Sequence, residues 1–266
     1  MRRNRFVAPR AAVRLVASVA LLGSWRNLAA QQPLETETAR LPHRHALLVS
    51  GTYEFQTSPQ GTEHDVPLAL EYGVTDRLAL LVEPVLFTAI RPEISPNATG
   101  VGDLEATLQF LARDERGALP ALAIAVEEKL PFAANRQIGT GRADFTPYLI
   151  ASKRLGRFDV HANLGYSFMG RPAGLAVQNT LNLALAVEHH ATTHVDVLAE
   201  VLSTTAAALD GGGESSLNAP EIAGAEQVGM VGVRYRRGPF TWLSLGITYD
   251  NTRALLFRPG LTIELP

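Results

Sequence analysis

The chain has 266 residues, with 24 Lys plus Arg against 26 Asp plus Glu and no cysteine. Without cysteine, a disulfide-stapled scaffold, a thiolate nucleophile and a cysteine-based metal site are all excluded. Six of the basic side chains fall in residues 1–30, and without them the balance is 18 basic against 26 acidic, net −8, a poor match for nucleic acid, whose phosphates demand clustered Lys and Arg.

The first segment, MRRNRFVAPRAAVRLVASVALLGSWRNLAA, sets Arg2, Arg3, Arg5, Arg10, Arg14 and Arg26 around a short apolar run from Leu15 to Leu22 and ends on Ala29 and Ala30. A cationic start, an apolar centre shorter than the roughly 20 residues of a membrane helix, and small residues before a cut make a secretory signal. Residues 1–30 are read as a signal peptide and 31–266 as one exported domain, since no Pro-, Gly- or Ser-rich linker divides the remainder.

From there a period of two recurs, the mark of strands, whose successive side chains point to opposite faces. ALLVSGTYEF (46–55), DVPLALEY (65–72) and RLALLVEPVLF (77–87) come first. DLEATLQF follows, with Asp103, Glu105, Thr107 and Gln109 on one parity and Leu104, Ala106, Leu108 and Phe110 on the other. LPALAIAVEEKL (119–130) and ADFTPYLIASK (143–153) lead to RFDVHANLGYSF (157–168), which sets Phe158, Val160, Ala162, Leu164, Tyr166 and Phe168 against Asp159, His161, Asn163, Gly165 and Ser167. TLNLALAVEH, HVDVLAEVL, EQVGMVGVRY, TWLSLGITYD and LLFRPGLTIEL bring the total to about twelve strands, with no helical stripe anywhere.

The alternation leaves open which face is wet: the polar parity of a soluble sandwich meets water outside, and that of a membrane barrel meets a lumen. The connections favour the barrel. Short polar turns, GVTDR, ARDERGA, LGR, HHATT and RRGP, alternate with longer segments around 57–62, 88–100, 131–142, 170–177 and 203–220, as periplasmic turns alternate with outer loops. Aromatic residues Tyr53, Phe55, Tyr72, Phe110, Phe158, Phe168, Tyr235, Trp242 and Tyr249 sit near strand ends, where rings suit a membrane–water boundary. The expected fold is an all-β, antiparallel, up-and-down transmembrane β-barrel of about twelve strands in the outer membrane of a Gram-negative bacterium.

On this reading the polar parity lines a lumen. The candidates are Glu71, Glu83, Asp103, Glu105, Glu127, Lys129, Asp159, His161, Asn163, Glu188, Glu200, Arg234 and Arg258. Counting further inward acids by parity (Glu54, Asp65, Asp144, Asp196, Asp250 and Glu264) gives fourteen acids against three bases. About twelve strands lies between the side-chain-filled barrel of eight and the open pore of sixteen, so a narrow, partly plugged, acidic passage is expected.

Motif-like fragments resolve against other chemistry. GVGDLEA (100–106) has the spacing of a dinucleotide loop, but a strand follows where that loop needs a helix. The spacings of His43 with His45, and of His189 and His190 with His194, suit a metal; lying in or near turns, they are read as surface residues, and no metal or cofactor is expected. A barrel hydrolase would need a serine beside a base, and His161 with Asn163 and Ser167 spreads along about 20 Å of one strand. Only a serine from a neighbouring strand could complete such a pair.

Four stretches, EYGVTDRLALLVEPVLF (71–87), GVGDLEATLQF (100–110), LPALAIAVEEKLPF (119–132) and IGTGRADFTPYLIASKRLGRFDVHANLGYSFMG (138–170), resemble an outer-membrane β-barrel family labelled as transporters in the MetA pathway of phenol degradation. The resemblance rests on the turn from Tyr72 to Arg77, the strand start from Gly100 to Asp103 and the hairpin from Ser152 to Tyr166. It implies a barrel that takes up small organic molecules. The chain departs from the usual aromatic barrel terminus in ending LTIELP, with Leu261, Ile263 and Leu265 on the outward parity. The expected function is passive, non-enzymatic conduction of small organic solutes. Lipids, the barrel-insertion machinery and the solute are the expected partners; a structural or adhesive barrel and a lipid hydrolase are the alternatives.

Overall fold

A computed structural model describes residues 34–172, 176–207 and 225–265; the segment read as a signal peptide lies outside them. Every regular element among the described residues is a strand: β1 (Leu47–Thr52), β2 (Glu54–Ser58), β3 (Gly61–Thr75), β4 (Leu78–Pro92), β5 (Ala98–Gly100), β6 (Leu104–Arg113), β7 (Ala121–Leu130), β8 (Asp144–Leu155), β9 (Phe158–Ser167), β10 (Thr180–His190), β11 (Val195–Thr204), β12 (Glu226–Gly238), β13 (Thr241–Asp250) and β14 (Leu255–Leu265).

Fourteen strands make twelve staves. β1 and β2 are halves of one, broken at Tyr53, and both pair with β3 and β14; β5 and β6 together run along β4. All pairings are antiparallel, and Leu47↔Leu265 through Thr52↔Gly260 joins the first stave to the last. Closure leaves no sheet edge, which is what lets a backbone full of N–H and C=O groups stand in hydrocarbon.

Burial is inverted relative to a soluble protein. In β6, Leu108 and Phe110 are 50% and 44% exposed, while Thr107 and Gln109 are 3% and 5% exposed. β9 repeats this with Phe158, Leu164 and Tyr166 outside and Asp159, His161 and Asn163 inside. A soluble sandwich would bury the leucines, so the polar parity of DLEATLQF faces the barrel interior.

The chain enters and leaves at one end, alongside the tight turns at 76–77, 156–157 and 239–240. The opposite end carries the connections 131–143 and 168–179. Two expected outer loops are shorter than the sequence implies. β2 and β3 meet across Pro59 and Gln60 alone, with Ser58↔Gly61 in register, and most of 88–100 is taken up by β4 and β5, because pairing with neighbours continues past the point where the alternation fades. The expected 203–220 loop falls mostly on residues outside those described.

Trp242 corrects the aromatic expectation. It is buried inside the barrel, on the same parity of β13 as Ser244 and Gly246, with the Arg236 guanidinium 5.9 Å from its ring centroid. Tyr53, Tyr72, Phe110, Phe158, Phe168, Tyr235 and Tyr249 do stand on the outside.

Candidate functional site: a strapped, acid-walled lumen

The interior is occupied by the chain itself. Residues 34–46 form no strand and run inside the barrel, from mid-height near β12–β14 to the end where the chain enters β1. Leu34 rests on Gly232 and Gly246, and Arg258 of β14 donates from Nη1 to the Leu34 carbonyl at 3.1 Å and pairs with Glu35. One Glu200 oxygen then accepts the Glu35 N–H at 3.1 Å, the Thr36 N–H at 3.0 Å and the Thr36 hydroxyl at 2.8 Å.

Further along, Ser152 Oγ accepts the Ala39 N–H at 2.8 Å and lies 3.2 Å from Thr38 Oγ1, while Gln109 Nε2 donates to the Thr38 carbonyl at 2.7 Å. With its amide oriented toward Glu37, Asn163 accepts that residue's N–H at 2.7 Å and donates to its carbonyl at 3.0 Å. Arg40 donates to Asp159 at 2.7 Å and to Glu115 at 3.4 Å. Ala39 and Leu41 complete an apolar cluster with Ala79, Leu111, Ala123 and Ile150.

The strap leaves the lumen over Gly73. His45 N–H donates to the Gly73 carbonyl and Gly73 N–H to the Ala46 carbonyl, and a Cβ at 73 would lie 2.1 Å from the His43 carbonyl oxygen. Only glycine lets the two backbones approach this closely.

The wall around the strap has two unlike halves. From β8 to β12 the acids meet cations: Asp159 takes Arg40 and Arg154, Glu188 and Asp196 take Arg234, and Lys129 of β7 pairs with Asp144. His190 belongs here rather than on the surface, with its ring nitrogens 2.8 Å from Asp159 and from Asp196. Ligand atoms of Glu188, His190 and Asp196 lie within 4.8 Å of one another, a metal-like grouping, but arginine already supplies its counter-charge.

From β3 to β7 the wall is a belt of carboxylates. Glu83 of β4 and Glu105 of β6 are direct cross-strand partners. Glu71 of β3 faces Leu81, two residues from Glu83, and Glu127 of β7 faces Thr107, two residues from Glu105. Lys129, the register partner of Glu105, and the Tyr148 hydroxyl, bonded to Glu127, are the nearby relief. The fourteen-to-three tally therefore overstates the field on one side: it omits Arg40 and Arg154, which come from the strap and from a strand end. Asp103 stands apart, accepting the Ala133 N–H at 2.9 Å and so tying down the 131–143 connection.

A serine does reach His161 from the neighbouring strand. Ser152 Oγ is 2.7 Å from His161 Nδ1, and both are buried beneath the strap. Sequence reasoning missed Thr36, Arg40, Gln109 and Ser152, whose common role is to join the strap to the wall. The only available signal was a polar stretch, LETETAR, between the signal and the first strand with no turn residues to make it a linker.

Residues 45–217, well over half the chain, match the family described as "Putative MetA-pathway of phenol degradation". The chain belongs to that family. Among curated proteins none matches it by sequence. Solved structures that resemble it include the KdgM porin, at 10% identity and TM-score 0.50 over 80% of this chain and 98% of that one, and the NanC porin, at 10% identity and TM-score 0.58 over 82% and 100%. At such identity the likeness concerns fold alone: these are outer-membrane barrels, and this family member has the same build.

Proposed function

We propose that the protein is a passive, non-enzymatic conduit through the outer membrane of a Gram-negative bacterium, favouring small cationic and neutral organic solutes over anions. The observation that carries this is the belt of Glu71, Glu83, Glu105 and Glu127 on the inner wall of a closed barrel. Rings of Asp and Glu in a pore concentrate cations and repel anions. Family membership supports a small organic cargo.

Reversal potential across refolded protein in a planar bilayer, under a low-salt gradient, tests the reading. Cation-biased openings are expected, and Glu83→Gln with Glu105→Gln should move the potential toward zero. Current carried mainly by anions would sink it. Asp103, though on the inward parity, is left out of the pair because it is engaged with a loop amide.

A barrel without transport is the second reading, and the strap favours it. The cavity beside Leu34, Glu71, Glu83 and Arg258 measures about 90 Å³, smaller than the ~150 Å³ cavity that accepts benzene. Absence of any conductance would select that reading. The Ser152–His161 pair supports the strap rather than hydrolysis, since the serine oxygen already accepts the Ala39 N–H.

A further inference from the structure

We infer that the inner faces of β6, β8, β9 and β11 form a binding track for an extended peptide, and that residues 34–42 are its resident ligand, a tethered blocker of the passage. The blocking role rests on the conduit reading; the track does not.

The contacts have the character of ligand recognition rather than of wall structure. Glu200, Ser152, Gln109 and Asn163 come from four different strands, are 3%, 1%, 5% and 8% exposed, and direct polar atoms to the backbone of a segment that belongs to no strand. The barrel's own ladders are complete without them, since β6, β8, β9 and β11 each pair on both sides. Side-chain contacts add charge at both ends: Arg40 of the segment meets Asp159 of the wall, and Glu35 of the segment meets Arg258. The ligand class that fits is therefore an extended chain offering amide N–H groups to Glu200 and Ser152, an amide carbonyl to Gln109, and a guanidinium to Asp159.

Blocking follows from space. With the segment in place the cavity beside Leu34 holds about 90 Å³, less than the ~150 Å³ that accepts benzene, and the segment runs from mid-height to one end of the lumen, so on this reading an aromatic solute passes only when the segment leaves. Leaving exposes the same polar groups to the passage, and an incoming solute competes for them with a segment whose tether gives it an effective concentration on the order of millimolar.

The chain has no cysteine, so the double substitution Thr38→Cys with Ser152→Cys, at positions whose hydroxyls are 3.2 Å apart, gives a single possible disulfide across the contact. Oxidised full-length protein is expected to conduct at least about tenfold less than the same protein under reductant. Equal conductance, with the disulfide verified by mass, overturns the blocker. In a second full-length variant, Thr36→Pro with Ala39→Pro removes the Thr36 N–H and hydroxyl that meet Glu200 and the Ala39 N–H that meets Ser152, and leaves the wall unaltered. Open-channel occupancy should rise about tenfold or more, as a hydrogen bond to a buried charged group is worth at least that factor. A synthetic LETETARLP peptide, supplied at about millimolar, should restore the block, and the same peptide with alanine for its arginine should restore less. If no variant conducts, the conduit reading fails, and the track is judged by fluorescence anisotropy of labelled LETETARLP on the proline variant. Saturable binding displaced by unlabelled peptide upholds it, and no binding overturns it. Heat-modified mobility on gels verifies that each variant is a folded barrel.

Discussion

On the β8–β12 side of the barrel, buried charges meet fixed partners. Arg234, nearly inaccessible, spans Glu188 and Asp196, with its Nε and Nη2 3.3 and 3.1 Å from Asp196. Removing one partner of a buried ion pair strands the others, at roughly 3–5 kcal/mol. Arg234→Leu should therefore lower refolding stability by that order in urea titrations in vesicles, and a change under about 1 kcal/mol would mean that water reaches the two acids. Glu115, in the turn between β6 and β7, behaves differently because it lies outside the spanning strands. Burial alone would raise its pKa, but hydrogen bonds from Lys153 and the Arg154 N–H, with the Lys153 charge and the Arg40 bond, outweigh that and hold its carboxyl below the usual carboxylate range. A carboxyl lowered in the folded state stabilises fully above its unfolded pKa and loses that contribution as pH falls through the folded value. Wild type should thus exceed Glu115→Gln in unfolding midpoint at neutral pH and converge with it in acid. A gap that widens on acidification would contradict the assignment.

Among the elements, β9 displays both environments in adjacent residues. Leu164 is 45% exposed on the outer face and Asn163 is 8% exposed against the strap. Arginine on a lipid face near mid-membrane costs roughly 2–4 kcal/mol, so Leu164→Arg should reduce barrel stability by about that much, read from unfolding in vesicles. Polarity alone would make Asn163→Arg harmless, as a polar side chain in a wet lumen. The contact with Glu37 changes that expectation: the larger side chain has no room with the strap in place, so it should spare the strands and displace residues 34–42, raising conductance with little loss of barrel stability. Equal loss of stability from both substitutions would indicate two dry faces and contradict the membrane assignment. Gly165 in the same strand illustrates how aromatic bulk is admitted, since a Cβ there would lie 2.3 Å from the Tyr148 ring, its cross-strand neighbour.

For the whole molecule, orientation and field are set by closure. The ends of β11 at Thr204 and of β12 at Glu226 lie opposite the turn 114–120, at the end that carries the connection 131–143. Protease added to intact cells should leave 114–120 whole and cut at that opposite end; the reverse pattern would invert the barrel in the membrane. The electrostatic field is lopsided, with ion pairs on the β8–β12 side and the carboxylate belt on the β3–β7 side. On the conduit reading, a Debye length near 8 Å at physiological salt confines the influence of that asymmetry to the barrel interior, so the selectivity proposed above is best measured at low ionic strength.

Some of this is legible in the sequence alone. The period of two fixed the strand count and, with the turn and loop spacing, the closed antiparallel barrel, because side-chain direction alternates locally and needs no tertiary information. It also placed Glu71, Glu83, Glu105, Glu127, Asp159, His161, Asn163, Glu188, Glu200, Arg234 and Arg258 on the inner parity. Trp242 shares that parity with Ser244 and Gly246, so even its burial was readable had the alternation been weighed above the preference of indole for interfaces. The partners of those inward residues were not readable. Glu200 and Thr36 are 164 positions apart, Gln109 and Thr38 are 71 apart, and Arg40 and Asp159 are 119 apart; nothing in a local pattern encodes contacts across a lumen. LETETAR carries no strand or turn signal of its own, and its path was decided only when twelve staves closed around it and left Glu200, Ser152 and Asp159 facing inward with hydrogen-bonding capacity that the barrel's backbone ladders do not use.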